Sequence, residues 1–147
     1  AAKRQREIEF AVASAYHLPV ADRQADLFLN CFSPLALDEV RRVLKPGGTF
    51  LYVVPAARHL WELKAVLYEH PYLNVEERTP YAGFRYQEVQ RVEKNIHLPD
   101  QQTVQDLFRM TPYCWKTPGK GKAKLEQLTE LDVQTQFDIH VFMREEE

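Results

Sequence analysis

Two runs of nearly continuous apolar residues, Asp26 to Asn30 and Thr49 to Val54, flank a segment whose hydrophobic positions repeat at helical spacing. Leu37, Val40, Val43 and Leu44 make one stripe. Asp38 and Glu39 lie early and Arg41, Arg42 and Lys45 late, as a helix macrodipole favours. Ser33 is placed to cap this helix and Pro34 to open it. Lys45-Pro46-Gly47-Gly48 is placed to end it in a turn. Strand, helix over 34–44, glycine turn and strand make a parallel crossover. A strand apolar at successive positions, such as 49–54, is one covered on both faces, which points to the α/β class.

The pattern upstream and downstream adds further elements. Residues 8–13 read as a short strand, and 57–69 as a helix with Leu60, Leu63 and Leu67 inward and Pro71 past its end. Residues 84–98 are ambiguous: Val89, Val92 and Ile96 have helical spacing, whereas 94–98 reads as strand, the reading adopted for the whole run. Asp100 caps a short helix carrying Val104, Leu107 and Phe108. An aromatic, proline-interrupted stretch (110–115), a basic loop (116–124) and a short helix (125–131) follow. The last segment alternates most cleanly, with Val133, Thr135, Phe137, Ile139, Val141 and Met143 on one face. Gln134, Gln136, Asp138, His140 and Phe142 take the other, as suits an antiparallel closing strand.

Composition narrows the classes. The 147 residues suffice for one domain with a sizeable core. The 19 basic and 21 acidic residues nearly cancel, so the chain as a whole is no trap for nucleic acid. No run of about 18 apolar residues and no signal-peptide pattern is present. Cys31 and Cys114 are too few for a disulfide framework or a four-ligand zinc site, and Cys31 is expected to be a buried structural thiol. These features describe a soluble, reduced, cytoplasmic protein. The opening Ala1-Ala2-Lys3-Arg4 looks like a helix already under way, which reads as a fragment.

The motifs then carry a resemblance. A strand followed by Ser14-Ala15-x-x-Leu18-Pro19, the Asp26 run, and Arg42-Val43-Leu44-Lys45-Pro46-Gly47-Gly48 resemble the middle of a class I S-adenosylmethionine-dependent methyltransferase. Pro55-x-x-Arg58-His59-Leu60-x-Glu62-Leu63-Lys64, Met110-Thr111-Pro112-Tyr113-x-Trp115 and Phe137-x-Ile139-His140 resemble the bacterial 23S rRNA (guanine-N1-)-methyltransferases, over essentially the whole chain. The resemblance implies an incomplete Rossmann-like α/β fold: a mostly parallel sheet with an antiparallel last strand. It implies one partial methyltransferase domain over 1–147 that lacks the family's zinc-binding N-terminal module, its first two strands and the glycine-rich cofactor turn. It also implies that 8–13 has lost its sheet neighbours and is re-paired, mobile or swapped into a second copy.

The activity so implied is methyl transfer from S-adenosylmethionine to N1 of a guanine in 23S rRNA, with zinc confined to the missing module and the isolated fragment inactive. Ser14, Ala15 and Asn30 fall where the superfamily holds the cofactor. Phe32, Arg58, Tyr113 and Trp115 are the candidate substrate contacts, the aromatics by stacking on a base. His59 is the candidate proton acceptor. His140 is taken as structural. Two other readings stay open: a small-molecule methyltransferase with Tyr113, Trp115 and the lysine loop lining a closed pocket, and a non-catalytic α/β interaction module.

Overall fold

The computed structural model describes residues 3, 4 and 7–146. Ala1 and Ala2 of the expected opening helix lie outside the described residues, and Lys3 and Arg4 form a turn. The elements are β1 (Ala25–Cys31), α1 (Leu37–Val43), β2 (Leu44–Pro55), α2 (Trp61–Leu67), β3 (Phe84–Leu98), α3 (Gln101–Met110), α4 (Tyr113–Lys116), α5 (Gly119–Glu126) and β4 (Leu131–Arg144). Among the described residues the strands form one sheet, ordered β1-β2-β4-β3. The chain divides into two compact units, Ala1–Val53 with Thr79–Val89 and His140–Glu147, and Val54–Arg78 with Gln90–Ile139.

The crossover anchors the first unit. β1 and β2 pair in parallel, Phe28 beside Phe50 and Asn30 beside Tyr52. Between the Ala25/Leu44 and Leu27/Thr49 pairs the register slips, and the Lys45 to Gly48 turn is absorbed there as an irregularity inside β2. Gly47 sits at φ +75°, and a Cβ on Gly48 would lie 2.8 Å from the Lys45 carbonyl oxygen. The core gathers Val40, Leu44, Phe50, Phe84 and Phe142, with Phe50 and Phe142 stacked at 5.6 Å between centroids. The helix starts later than expected. Its N-cap is Ala36, without a side-chain cap, and Ser33 and Pro34 belong to the preceding turn.

The second unit has its own core of Leu60, Leu63, Leu67, Leu98, Val104, Phe108, Leu125 and Val133. Asp100 caps α3 as expected, its Oδ1 accepting the Thr103 N–H at 2.7 Å. The region read as a basic loop is the helix α5 instead. Its inward positions, Gly121 and Leu125, are one turn apart and buried, and a Cβ on Gly121 would fall 2.1 Å from the Leu67 carbonyl oxygen. Glycine here permits close approach to the end of α2. The helix expected over 125–131 is accordingly displaced towards the N-terminus.

Strand sense corrects a further expectation. Partners on β4 descend as β3 climbs: Tyr86 meets His140 in the first unit, while Arg91 meets Asp138 and His97 meets Asp132 in the second. Leu44 is met by Arg144 and Ala56 by Gln136, so β4 also runs against β2. The sheet is therefore mixed and not mostly parallel: inserting the last strand between β2 and β3 creates two antiparallel borders beside the single parallel pair. Residues 8–13 form no strand, and Ile8, Phe10 and Val12 are exposed. A strand exists only as one side of a ladder, and among the described residues this segment has none. Phe84 to Leu98 is one continuous strand, settling that ambiguity.

Replacing Gly121 with Ala is expected to lower stability by about 1–3 kcal/mol through overpacking against Leu67. Gly119→Ala, where a Cβ meets nothing within 4 Å, should be neutral. Urea unfolding of the two variants checks both.

Candidate functional site

The carboxyl ends of the parallel strands carry two unusual backbones. Phe32, just past β1, has φ +55°, and Leu60, past β2, has φ +54°. Left-handed geometry at bulky residues is strained and persists only where the surroundings enforce it. Both bends lie where α/β sheets receive ligands.

In the first unit the surroundings of Phe32 are plain. Buried Asn30 accepts the Ser33 N–H on Oδ1 at 3.3 Å and donates Nδ2–H to the Pro34 carbonyl at 3.1 Å, closing the turn. Its amide is thus committed to shaping the loop. Ser14 accepts the Tyr16 N–H on Oγ at 3.2 Å, and its carbonyl accepts the His17 N–H at 3.0 Å. The end of that loop is fastened to α1. Leu18 N–H donates to Glu39 Oε1 at 2.6 Å, and Arg42 donates to Glu39, Asp22 and the Leu18 carbonyl. The bonds from Arg42, and next that from Leu18, hold the Glu39 carboxyl down at about 2. Beside this clip lies a cleft of about 360 Å³ whose lining includes Ala13, Ala15, Leu18, Phe28, Asn30 and Val40. Cys31 is exposed, contrary to the buried thiol expected, because the strand-end turn leaves it outside the core.

In the second unit, residues 56–60 are pinned at nearly every polar backbone atom. Ala56 N–H donates to the Gln136 carbonyl at 2.9 Å, Ala57 N–H to Glu76 Oε1 at 2.7 Å, Arg58 N–H to Gln136 Oε1 at 2.9 Å, and Leu60 N–H to the Gln134 carbonyl at 2.9 Å. Asn74 takes the Ala56 carbonyl with Nδ2–H at 2.8 Å and the Ala57 carbonyl with its own N–H at 3.0 Å. Behind Asn74 stands Lys64, fully buried, its ammonium 2.6 Å from Asn74 Oδ1 and 4.6 Å from the Tyr72 ring centre. Burial lowers its pKa. Behind Glu76 stands Arg91, which also grips both oxygens of Asp138 at 2.8 Å.

His59 sits inside this frame. Its Nδ1 accepts the Gln136 N–H at 3.2 Å, and its ring lies 4.4 Å from that of Phe137. Burial, and then the Lys64 charge, push its pKa down to about 4. At neutral pH the ring is uncharged with Nδ1 occupied, so Nε2 carries the proton and is a donor. Arg58 is exposed, its guanidinium 5.4 Å from the Trp61 ring centre. Tyr113 and Trp115 share α4 but differ in role. Tyr113 is half-buried, edge-on to Tyr68 and 5.7 Å from the Lys64 ammonium, and burial pushes its hydroxyl up to about 12. Trp115 is 88% exposed. Ser14, Ala15, Asn30 and Phe32 thus belong to the first unit, and Arg58, His59, Tyr113 and Trp115 to the second.

Sequence reasoning gave no site role to Glu39, Lys64, Asn74, Glu76 and Arg91, although Glu39 and Lys64 stood within its patterns. Lys64 carried a signal, since it adjoins the apolar stripe of α2. The others are legible only once their partners are known.

Residues 1–52 match the methyltransferase-domain family. A solved structure described under the conversion of a disulfide bond into a thioacetal group during echinomycin biosynthesis superimposes with a TM-score of 0.51 at 15% identity, covering 98% of this chain and 60% of that one. The fold is thus that of the class I methyltransferases, α/β with a mixed sheet. Over 98% of its length the chain is 32% identical to the YxjB protein of Bacillus subtilis strain 168, whose name provisionally gives it as a 23S rRNA (guanine-N(1)-)-methyltransferase. The 23S rRNA (guanine(748)-N(1))-methyltransferase of Streptomyces fradiae is 44% identical over 64 residues, 43% of this chain and 23% of that protein. The chain is thus similar along nearly its whole length to a protein provisionally named among these methyltransferases, in line with the resemblance its motifs carry. It spans about half, 52%, of the Bacillus subtilis protein.

The depressed value at His59 means that protonation works against the fold. The native state should lose stability as pH falls from about 6.5 towards about 4, and His59→Gln should flatten that slope. A proton NMR titration of the ring should give a midpoint near 4; one near 6.5 would contradict the buried, neutral assignment.

Proposed function

We propose that this chain is part of the catalytic domain of a cytoplasmic enzyme that uses S-adenosylmethionine to methylate N1 of a guanine in 23S rRNA. The observation that carries the reading is the alignment with a named relative along 98% of the chain. The cleft in the first unit would take the adenine half of the cofactor: Ala13, Ala15, Leu18 and Phe28 offer apolar walls, and Ser14 lies in the same loop. When bound, the sulfonium supplies an already activated methyl group, so the protein's task is to hold the acceptor in line. The first two strands and glycine-rich turn, and the zinc module, would belong to a longer protein. The exposed edge of β1 and the unpaired 8–13 segment are where those strands, or the same segment of a second copy, would add.

On the substrate side His59 is the residue proposed to touch the base. With Nδ1 bonded and Nε2 protonated, His59 is proposed as a donor in place of the proton acceptor expected: its Nε2–H would donate to guanine O6, which gathers negative charge as N1 gives up its proton to solvent. Arg58 would meet a phosphate, and Phe32 and Trp115 would stack on bases. Tyr113 is the weakest of the proposed contacts, because its ring is engaged with Tyr68 and Lys64. The small-molecule reading is disfavoured by the exposure of Trp115, which a closed pocket would cover.

The full-length protein incubated with 23S rRNA and cofactor should yield N1-methylguanine on mass spectrometry and a matching stop in reverse transcription, since the methyl group blocks Watson–Crick pairing. His59→Gln should lower kcat more than KM, because its hydrogen bond strengthens as charge develops. Methylation of small metabolites without rRNA modification would refute the assignment.

A further inference from the structure

We propose that the outer face of α4 and α5 is a docking surface for the backbone of single-stranded RNA, with Trp115 as its stacking platform. The inference rests on the rRNA reading above and names a part of the surface that would hold the substrate. It starts from charge. Although the chain is net −2, the stretch from Arg109 to Lys124 contains five basic residues and no acidic one.

The structure places that stretch on the exposed sides of two short helices. Gly121 and Leu125 point inward, so Lys120 and Lys124 share one flank of α5 a turn apart and Lys122 lies on the opposite flank, all three exposed. The corner between the helices is held firmly. Buried Thr117 donates both its N–H, at 2.9 Å, and its hydroxyl, at 2.8 Å, to the Tyr113 carbonyl. Gln101 bonds the Glu126 carbonyl at the far end of α5. Lys120 approaches Glu69 at 3.9 Å, but both side chains are 78% exposed, so that pair is weak and the ammonium stays available.

Trp115 gives the face its specificity for nucleic acid. Of the two tryptophans, Trp61 is half-buried whereas Trp115 is 88% exposed, an arrangement that core packing does not require. Several cations near one open aromatic ring suit phosphates and an unstacked base. A membrane surface would call for a broader apolar patch than Trp115 and Met110 supply.

Binding of a fluorescein-labelled single-stranded RNA of about 12 nucleotides to the chain without cofactor, followed by the anisotropy of the label in every variant and by Trp115 fluorescence in the unmodified chain, tests this. RNA should quench the emission. Trp115→Ala should weaken binding by about tenfold and Trp115→Phe much less. The triple change Lys120→Gln, Lys122→Gln and Lys124→Gln should make the slope of log affinity against log salt shallower by about 2. Far-UV circular dichroism should be unchanged in all variants, since every altered side chain is exposed. The proposal is overturned if the unmodified chain does not bind the RNA, if no variant weakens binding, or if phosphatidylserine vesicles or polyglutamate bind as tightly. RNA binding that survives every variant, alongside intact rRNA methylation by the full-length protein, would reject this surface while leaving the enzymatic reading in place.

Discussion

β4 is the last element in the chain and an interior strand of the sheet, and its buried face is largely polar. Gln136, Asp138, His140 and Arg144 are all nearly inaccessible, with only Phe142 among them apolar. Polar groups taken out of water cost stability unless they are bonded. Each of these finds partners within its own unit. Asp138 has Arg91; Gln136 has Glu93 and the Arg58 N–H; His140 has the Tyr86 hydroxyl; Arg144 has the Leu44 carbonyl. The strand closes the sheet and, by the same bonds, fixes the loops around it.

The consequence is clearest at residues 56–60. The loop is held from one side by Gln134 and Gln136 of β4 and from another by Asn74 and Glu76, which lean on Lys64 and Arg91. Leu60 is kept left-handed and His59 neutral by this frame rather than by local preference. Rigid positioning of this kind is what the proposed methyl transfer would ask of the protein. In the first unit the Glu39–Arg42 clip does comparable work, fastening the end of the Ser14–Leu18 loop to α1 beside the cleft.

Buried charge is handled differently in the two frames. Glu39 and Asp138 each meet an arginine directly. Among the described residues Lys64 meets no carboxylate and is balanced by two oxygens, from Asn74 and Tyr72, and by aromatic faces. Such a site lowers the affinity of the ammonium for its proton and makes Lys64 sensitive to any loss of Asn74.

Local pattern alone determined the α/β class, the β1–α1–β2 crossover, the Asp100 cap and the alternation of β4, because periodicity, capping chemistry and glycine requirements act within a few residues. The motifs carried the resemblance for the same reason, being short runs of residue types. Tertiary structure decided the rest. The basic stretch became a helix because Gly121 could approach Leu67 and Leu125 could enter the core. The strand expected at 8–13 had no described neighbour to pair with. Tyr113 was drawn into packing while Trp115 was left in water. The service of Lys64, Glu76 and Arg91 to residues 56–60 depends on partners at separations that no local pattern records, since a hydrogen bond is set by distance in space and not along the chain.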